Sequence, residues 1–181
     1  MRDIDTAISF SPDGKQFAFE RGVPATGEIH LMVANADGSG ERMAASKLGN
    51  VTIAGLLGPA WSPDGKIIVF STLLPAVGGQ MTELTLANGA TRTLYLTRGE
   101  VGAPHWLPDG NALLVPIRES GGGAQGQLWT VSYPSGEAQR LTNDLTDYSL
   151  PWLDLTSDGS AVVTIESTLL LDLWSAPGGD S

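Results

Sequence analysis

Short apolar runs recur along the chain, each opened by the same polar turn, and residues 61–70 hold the pattern in its fullest form. There Trp61-Ser62-Pro63-Asp64-Gly65-Lys66 leads into Ile67-Ile68-Val69-Phe70. Ser11-Pro12-Asp13-Gly14-Lys15 leads likewise into Gln16-Phe17-Ala18-Phe19-Glu20, and Leu107-Pro108-Asp109-Gly110 into Asn111-Ala112-Leu113-Leu114-Val115. Thr156-Ser157-Asp158-Gly159 precedes Ser160-Ala161-Val162-Val163-Thr164-Ile165. Proline presets φ at the first central turn position, aspartate follows, and glycine accepts the left-handed conformation that closes the hairpin. The β-branched and aromatic residues behind each turn suit a buried strand. The turn aspartates, at 13, 64, 109 and 158, stand 45 to 51 residues apart. A period of about 40–50 residues with several strands per repeat signals propeller blades.

The pattern therefore predicts an all-β β-propeller of about four blades, each a four-stranded antiparallel meander, forming an incomplete ring over residues 1–181. The blades fall at 3–45, 46–97, 98–143 and 144–176. Strands are expected at 4–10, 16–21, 29–34 and 41–44 in the first blade, and at 58–61, 66–72, 82–87 and 91–96 in the second. Asn88-Gly89 reads as a two-residue hairpin in the second. The third blade has strands at 103–106, 112–117, 127–133 and 138–142; the fourth has them at 148–155, 161–166 and 170–175 and lacks its outer strand. Trp61 and Trp106 sit just before their turns, and Trp129 and Trp174 in third strands, positions that suit core packing between blades. Trp152, in a first strand, is expected in the core as well.

Composition narrows the class. An apolar fraction of 41% against 17% charged residues is that of a globular chain, and 23 glycines and 11 prolines punctuate strands. Twenty acidic and ten basic residues give a net charge of −10, with the basic residues scattered singly, which excludes a nucleic-acid surface. No cysteine is present, so disulfides and thiolate metal sites are excluded and the redox compartment stays open. No apolar run is long enough to span a membrane.

The Ser-Pro-Asp-Gly-Lys turns, each followed by a hydrophobic strand, resemble the Pro-Asp propeller repeats of TolB-type and related WD-repeat-like proteins. A narrower likeness lies in Tyr133-Pro134-Ser135-Gly136-Glu137, Arg140-Leu141-Thr142-Asn143-Asp144-Leu145 and Asp147-Tyr148-Ser149. These segments resemble large bacterial propellers fused behind a serine/threonine kinase or a winged-helix domain. The resemblance implies a sensory or protein-binding propeller, in a periplasmic or other extracytoplasmic setting, with the cytoplasm left open. Kinase chemistry does not come with it, since the Gly-rich loop over a strand lysine, His-Arg-Asp and Asp-Phe-Gly are all missing. Thr156-Ser157 departs from the Ser-Pro of the repeat.

Candidate chemistry is sparse. Gly121 to Gly126 spells a dinucleotide fingerprint, but it lies between two strands and reads as a loop. The two histidines, His30 and His105, belong to no metal or triad motif, and the nucleophile-elbow sequence Gly-x-Ser-x-Gly is absent. In propellers the first strand of each blade lines the central channel. First-strand residues therefore form the candidate binding set: His105, Trp106, Asp147, Tyr148 and Asp154, with Asp3 and Asp5 as further channel acids. The expectation is a binding or sensor module with no enzymatic activity and no cofactor. Its partners would be a protein or peptide, or a small ligand or cation at the channel, with neither nucleic acid nor membrane insertion. The alternative is the gating propeller of a prolyl-oligopeptidase-like hydrolase whose catalytic domain lies outside this stretch. Apolar end faces on the first blade (Ile4, Ile8, Phe10, Phe17, Phe19) and on the fourth (Val162, Val163, Ile165, Leu169 to Leu171) predict self-association.

Overall fold

The computed structural model describes residues 6–23, 25–46, 57–74, 76–121 and 125–167, with the side chains of 149–152, 166 and 167 excluded. Every regular element among them is a strand. The first blade comprises β1 (Ser9–Phe10), β2 (Gln16–Val23), β3 (Glu28–Asn35) and β4 (Arg42–Ala45). The second comprises β5 (Ala60–Trp61), β6 (Ile67–Leu74), β7 (Gly78–Thr85) and β8 (Ala90–Leu96). The third comprises β9 (Glu100–Val101), β10 (His105–Trp106), β11 (Ala112–Arg118), β12 (Gln127–Ser132) and β13 (Ala138–Arg140). In the fourth, β14 (Asp147–Leu155) pairs with β15 (Val162–Ser167), and the expected third strand at 170–175 lies outside the described residues. All pairings are antiparallel and each blade is a meander, as its turn spacing requires.

Differences from the sequence pattern have local causes. In the first three blades only two residues of the innermost strand join the ladder. Pro59 and Pro104 precede two of these pairs closely and have no N–H to donate. β7 begins at Gly78 and stops at Thr85, because residues 86–89 form a four-residue turn closed by the Gly89 N–H donating to the Thr85 carbonyl at 2.9 Å. The two-residue hairpin expected at Asn88-Gly89 is thus a longer loop. β9, not expected, adds an extra ladder to β11 through Val101 opposite Ile117.

Alternation along each strand gives every blade two apolar faces. Ala18, Leu31 and Val33 of the first blade bury against Trp61, Ile68, Phe70 and Leu84 of the second. Val69, Met81 and Leu94 on the other side of the second blade meet Val101, Leu113, Val115, Ile117 and Val131 of the third. Leu114 and Leu128 then meet Leu153 of the fourth. Burying a side chain such as Phe70 or Ile68 contributes about 1.5–3 kcal/mol, so these interfaces bind the blades into one stack.

The turns carry a second inter-blade contact. Ser11 Oγ donates to Asp13 at 2.7 Å and accepts from the Gln16 N–H at 2.9 Å; Ser62 repeats both bonds with Asp64 and Ile67 at the same distances. Thr156 supplies the same hydroxyl, donating to Asp158 at 2.7 Å, so the departure from Ser-Pro keeps the clamp. These bonds and those from Ser160 hold the exposed Asp158 carboxyl down at about 2. Gly65 and Gly110, at φ 75° and 71°, lie where a Cβ would come 3.8 and 4.0 Å from Pro12 and Pro63 of the preceding turn. From the second turn on, each turn glycine thus faces the proline of the turn before it, Gly159 most closely, with Pro108 3.0 Å from where its Cβ would lie.

At the ends of the arc the expectation needs correcting. Phe17 and Phe19 are buried, the Phe17 ring lying tilted between Phe10 at 5.8 Å and Phe19 at 5.7 Å, and the Arg21 guanidinium lies 5.2 Å from the Phe19 ring while paired with Glu41. Of the residues expected there, Ile8 and Phe10 are exposed. On the fourth blade Val162, Val163 and Ile165 are exposed; Ile4 and Leu169 to Leu171 fall outside the described residues.

Glu20 places a carboxyl in the core. Glu20 is 1% exposed and neither carboxyl oxygen has a hydrogen-bond partner, so burial pushes its carboxyl well above the usual carboxylate range. A proton bound more tightly in the folded state gives stability that is complete below the ordinary glutamate pKa and is lost as pH rises through the raised value. Urea unfolding of the wild type should therefore show a midpoint that falls from pH 5 toward pH 8. Glu20→Met should flatten that slope and gain about 1–3 kcal/mol at pH 8; an unchanged slope would contradict the placement.

Candidate functional site

The residue four places before each turn aspartate occupies one position in the innermost strand, and along the arc these are Ser9, Ala60, His105 and Asp154. The next residue in each, Phe10, Trp61, Trp106 or Leu155, points to the opposite side. Trp61, Trp106 and Leu155 reach the core shared with the blade before. Two hydrogen bonds link successive innermost strands. The Trp61 N–H donates to Ser9 Oγ at 3.0 Å, and the Trp106 indole N–H donates to the Ala60 carbonyl at 3.2 Å. The strands are thus held side by side around a cavity of about 720 Å3, lined by Ser9, Ala60, His105, Trp106 and Asp154 and walled by Pro12, Pro59, Pro63, Pro104 and Pro108.

His105 is half-buried and its Nε2 has neither exposed surface nor a hydrogen-bond partner. Burial pushes its pKa below the ordinary histidine value, while the Asp154 carboxylate on the adjacent blade pulls it partly back. Near neutral pH the ring is therefore a neutral imidazole. Asp154 is exposed, and Oδ1 accepts only the N–H of Leu155, at 2.8 Å. Trp106 is fixed from both sides: beyond its bond to Ala60 it packs edge-on to Tyr133 at 5.0 Å, and Arg92 lies 5.8 Å from that tyrosine ring.

The other two candidates stand elsewhere. Asp147 opens β14 and Asp154 nearly closes it, roughly 20 Å apart along an extended strand. Arg118 donates to both Asp147 oxygens at 3.3 and 3.4 Å and to Glu100 at 2.8 Å, and the Gly126 N–H reaches Asp147 at 2.6 Å. Tyr148 donates its hydroxyl to Asp144 at 3.0 Å. Asp147 and Tyr148 therefore brace the rim of blades three and four and do not line the cavity. No three metal-type side chains gather among the described residues, and Asp147 and Asp154 do not converge on a cation. His30 is half-buried, 3.2 Å from Glu28. Asp3, Asp5 and Gly122 to Ala124 lie outside the described residues, as does the Trp152 side chain. Ser9 and the proline wall were overlooked in the sequence, although the fixed offset from the turn aspartate was a signal for them.

A β-propeller with TolB-like blades is the class these features define. The chain resembles TolB from Agrobacterium tumefaciens, with a TM-score of 0.71 and 21% identity over 87% of this chain and 52% of that one. It also resembles puromycin hydrolase, with a TM-score of 0.66 and 18% identity over 88% of this chain and 27% of that one. In sequence it is 27% identical over 126 residues to the uncharacterized peptidase YuxL of Bacillus subtilis, covering 51% of this chain and 19% of YuxL. No protein-family profile matches. The chain thus spans about a fifth of the curated relative.

These likenesses support the TolB-like reading and extend it to peptidase propellers; the narrower likeness to kinase-fused or winged-helix-fused propellers finds no support in them. They also correct the expectation of no enzymatic activity, since the relatives include a named peptidase and a hydrolase. The missing motifs described only this stretch, and most of the length of such relatives lies outside it.

The electrostatic placement of His105 can be read directly. Its imidazole should titrate below the ordinary histidine pKa in a pH series of NMR spectra, and Asp154→Asn should lower that value further. A midpoint at or above the ordinary value, unmoved by the substitution, would contradict the pairing.

Proposed function

We propose that the chain is the propeller portion of a peptidase-type hydrolase and that the cavity between its innermost strands receives the polypeptide substrate. The observation that carries this reading is the conjunction of the similarity to a peptidase with an apolar-walled cavity holding one neutral imidazole and one free carboxylate. Such a cavity, walled by prolines and tryptophans with polar groups converging on it, has the character of a ligand site. His105, Trp106 and Asp154 are its contact residues, and Asp147 and Tyr148 support the rim. A TolB-like protein-binding module is the second reading, favoured by the TM-score of 0.71 to TolB. An extracytoplasmic setting goes with either and rests on the resemblance alone.

The protein expressed from its complete gene is expected to hydrolyse peptidyl-anilide substrates. Trp106→Ala, which removes the wall fixed by Ala60 and Tyr133, should raise KM several-fold with kcat little changed. A complete product that turns over none of a peptidyl-anilide panel yet captures a protein partner would favour the second reading.

The exposed Val163 and Ile165 face is proposed as a self-association surface, because large apolar patches drive contact. Light scattering should detect association that Val163→Lys weakens; a monodisperse monomer at all concentrations would remove this part.

A further inference from the structure

Most acidic side chains of the described residues have an assigned task, and the exceptions Glu20 and Glu137 do not line the cavity. Glu41, Glu83, Glu100, Asp147 and Glu119 face arginines, and Asp13 and Asp64 face lysines. Asp37, Asp109 and Asp158 accept bonds within their own turns. Asp154 is different: it is exposed, lines the cavity, accepts only its neighbour's N–H, and no cationic side chain is paired with it. His105, on the adjacent blade, is half-buried, and burial disfavours the positive charge that would neutralise Asp154.

The geometry points to a primary ammonium group as the ligand of this ring, carried on an apolar peptide and seated against Asp154. This inference rests on the cavity being a peptide site and names what part of the peptide it holds. A divalent cation is poorly served, since calcium takes about 6–8 oxygen ligands and a single carboxylate supplies at most two. One unpaired carboxylate matches one monovalent cation. The walls match an apolar body: Pro12, Pro59, Pro63, Pro104 and Pro108 line the cavity and bring no charge. An ammonium, with three donors around one centre, can give hydrogen bonds to both oxygens of one carboxylate. Both an amino terminus and a lysine side chain carry this group.

Binding to the chain itself tests the inference, read by quenching of Trp61 and Trp106 fluorescence and by calorimetry. Three probes suffice: the peptide amide Gly-Phe-Leu-Phe with a free amino terminus, its N-acetyl form, and N-acetyl-Lys-Phe-Leu-Phe amide. At least one amine-bearing probe should bind about tenfold more tightly than the acetylated form, the scale of a partly desolvated charge pair. Asp154→Asn should erase that margin; the side chain is exposed and makes no packing contact the fold needs. Which amine-bearing probe binds assigns the source as terminus or lysine. Equal affinity with and without the amine, a margin that survives Asp154→Asn, or no binding by any probe overturns the inference. None of these outcomes depends on turnover by the complete gene product, so loss of the hydrolase reading and loss of this one are separate results.

Discussion

The stacking of one blade on the next is the constraint on which everything else here depends. Each sheet is too small to bury both of its apolar faces alone, so Ala18, Leu31 and Val33 need Trp61 and Phe70, and Val69 and Met81 need Leu113 and Val115. The turn adds precision to what hydrophobic burial leaves loose. From the second blade on, the turn glycine faces the proline of the previous turn, so successive turns sit side by side. A hydroxyl at the first turn position and a carboxylate at the third lock each turn internally, and the fourth blade keeps that lock with threonine in place of serine. In the third blade Leu107 lacks the hydroxyl, and Asn111 bonds Asp109 instead through both backbone and side chain.

Side-by-side turns are what turn a sequence offset into a shared position. Ser9, Ala60, His105 and Asp154 are far apart along the chain, yet the repeat carries each to the same place on its blade and the stacking brings those places around one cavity. The same geometry separates what the chain keeps close. Asp147 and Asp154 share a strand, but one is consumed by Arg118 and the Gly126 N–H while the other faces the cavity. Placement around the cavity therefore follows register more than proximity in sequence.

Interfaces between blades also hold polar atoms without partners. Glu20 and Ser71 stand at the same position of their second strands, seven places after the turn aspartate, and both are buried without hydrogen bonds. The third blade has Pro116 there. Unpaired buried polar groups each cost about 1–3 kcal/mol, so the apolar contacts around them must carry that load. The first blade has a further difference, a charged roof in which Arg21 and Glu41 cover Phe19, whereas the fourth leaves Val163 and Ile165 bare.

By itself the sequence determined what depends on neighbours along the chain. Turn chemistry is local, so the four Asp-Gly turns, the second strands behind them and the meander order were legible from residue type and spacing. So was the ring position of His105 and Asp154, because a period of similar turns carries equal offsets to equal places. Tertiary structure decided the rest, because contacts between blades are written in no single repeat. It alone engaged Asp147 with Arg118, paired β9 with β11 and buried Phe17 and Phe19. Burial and electrostatic pairing are properties of surfaces that meet only after stacking, and the same strand pattern in isolation leaves both unspecified.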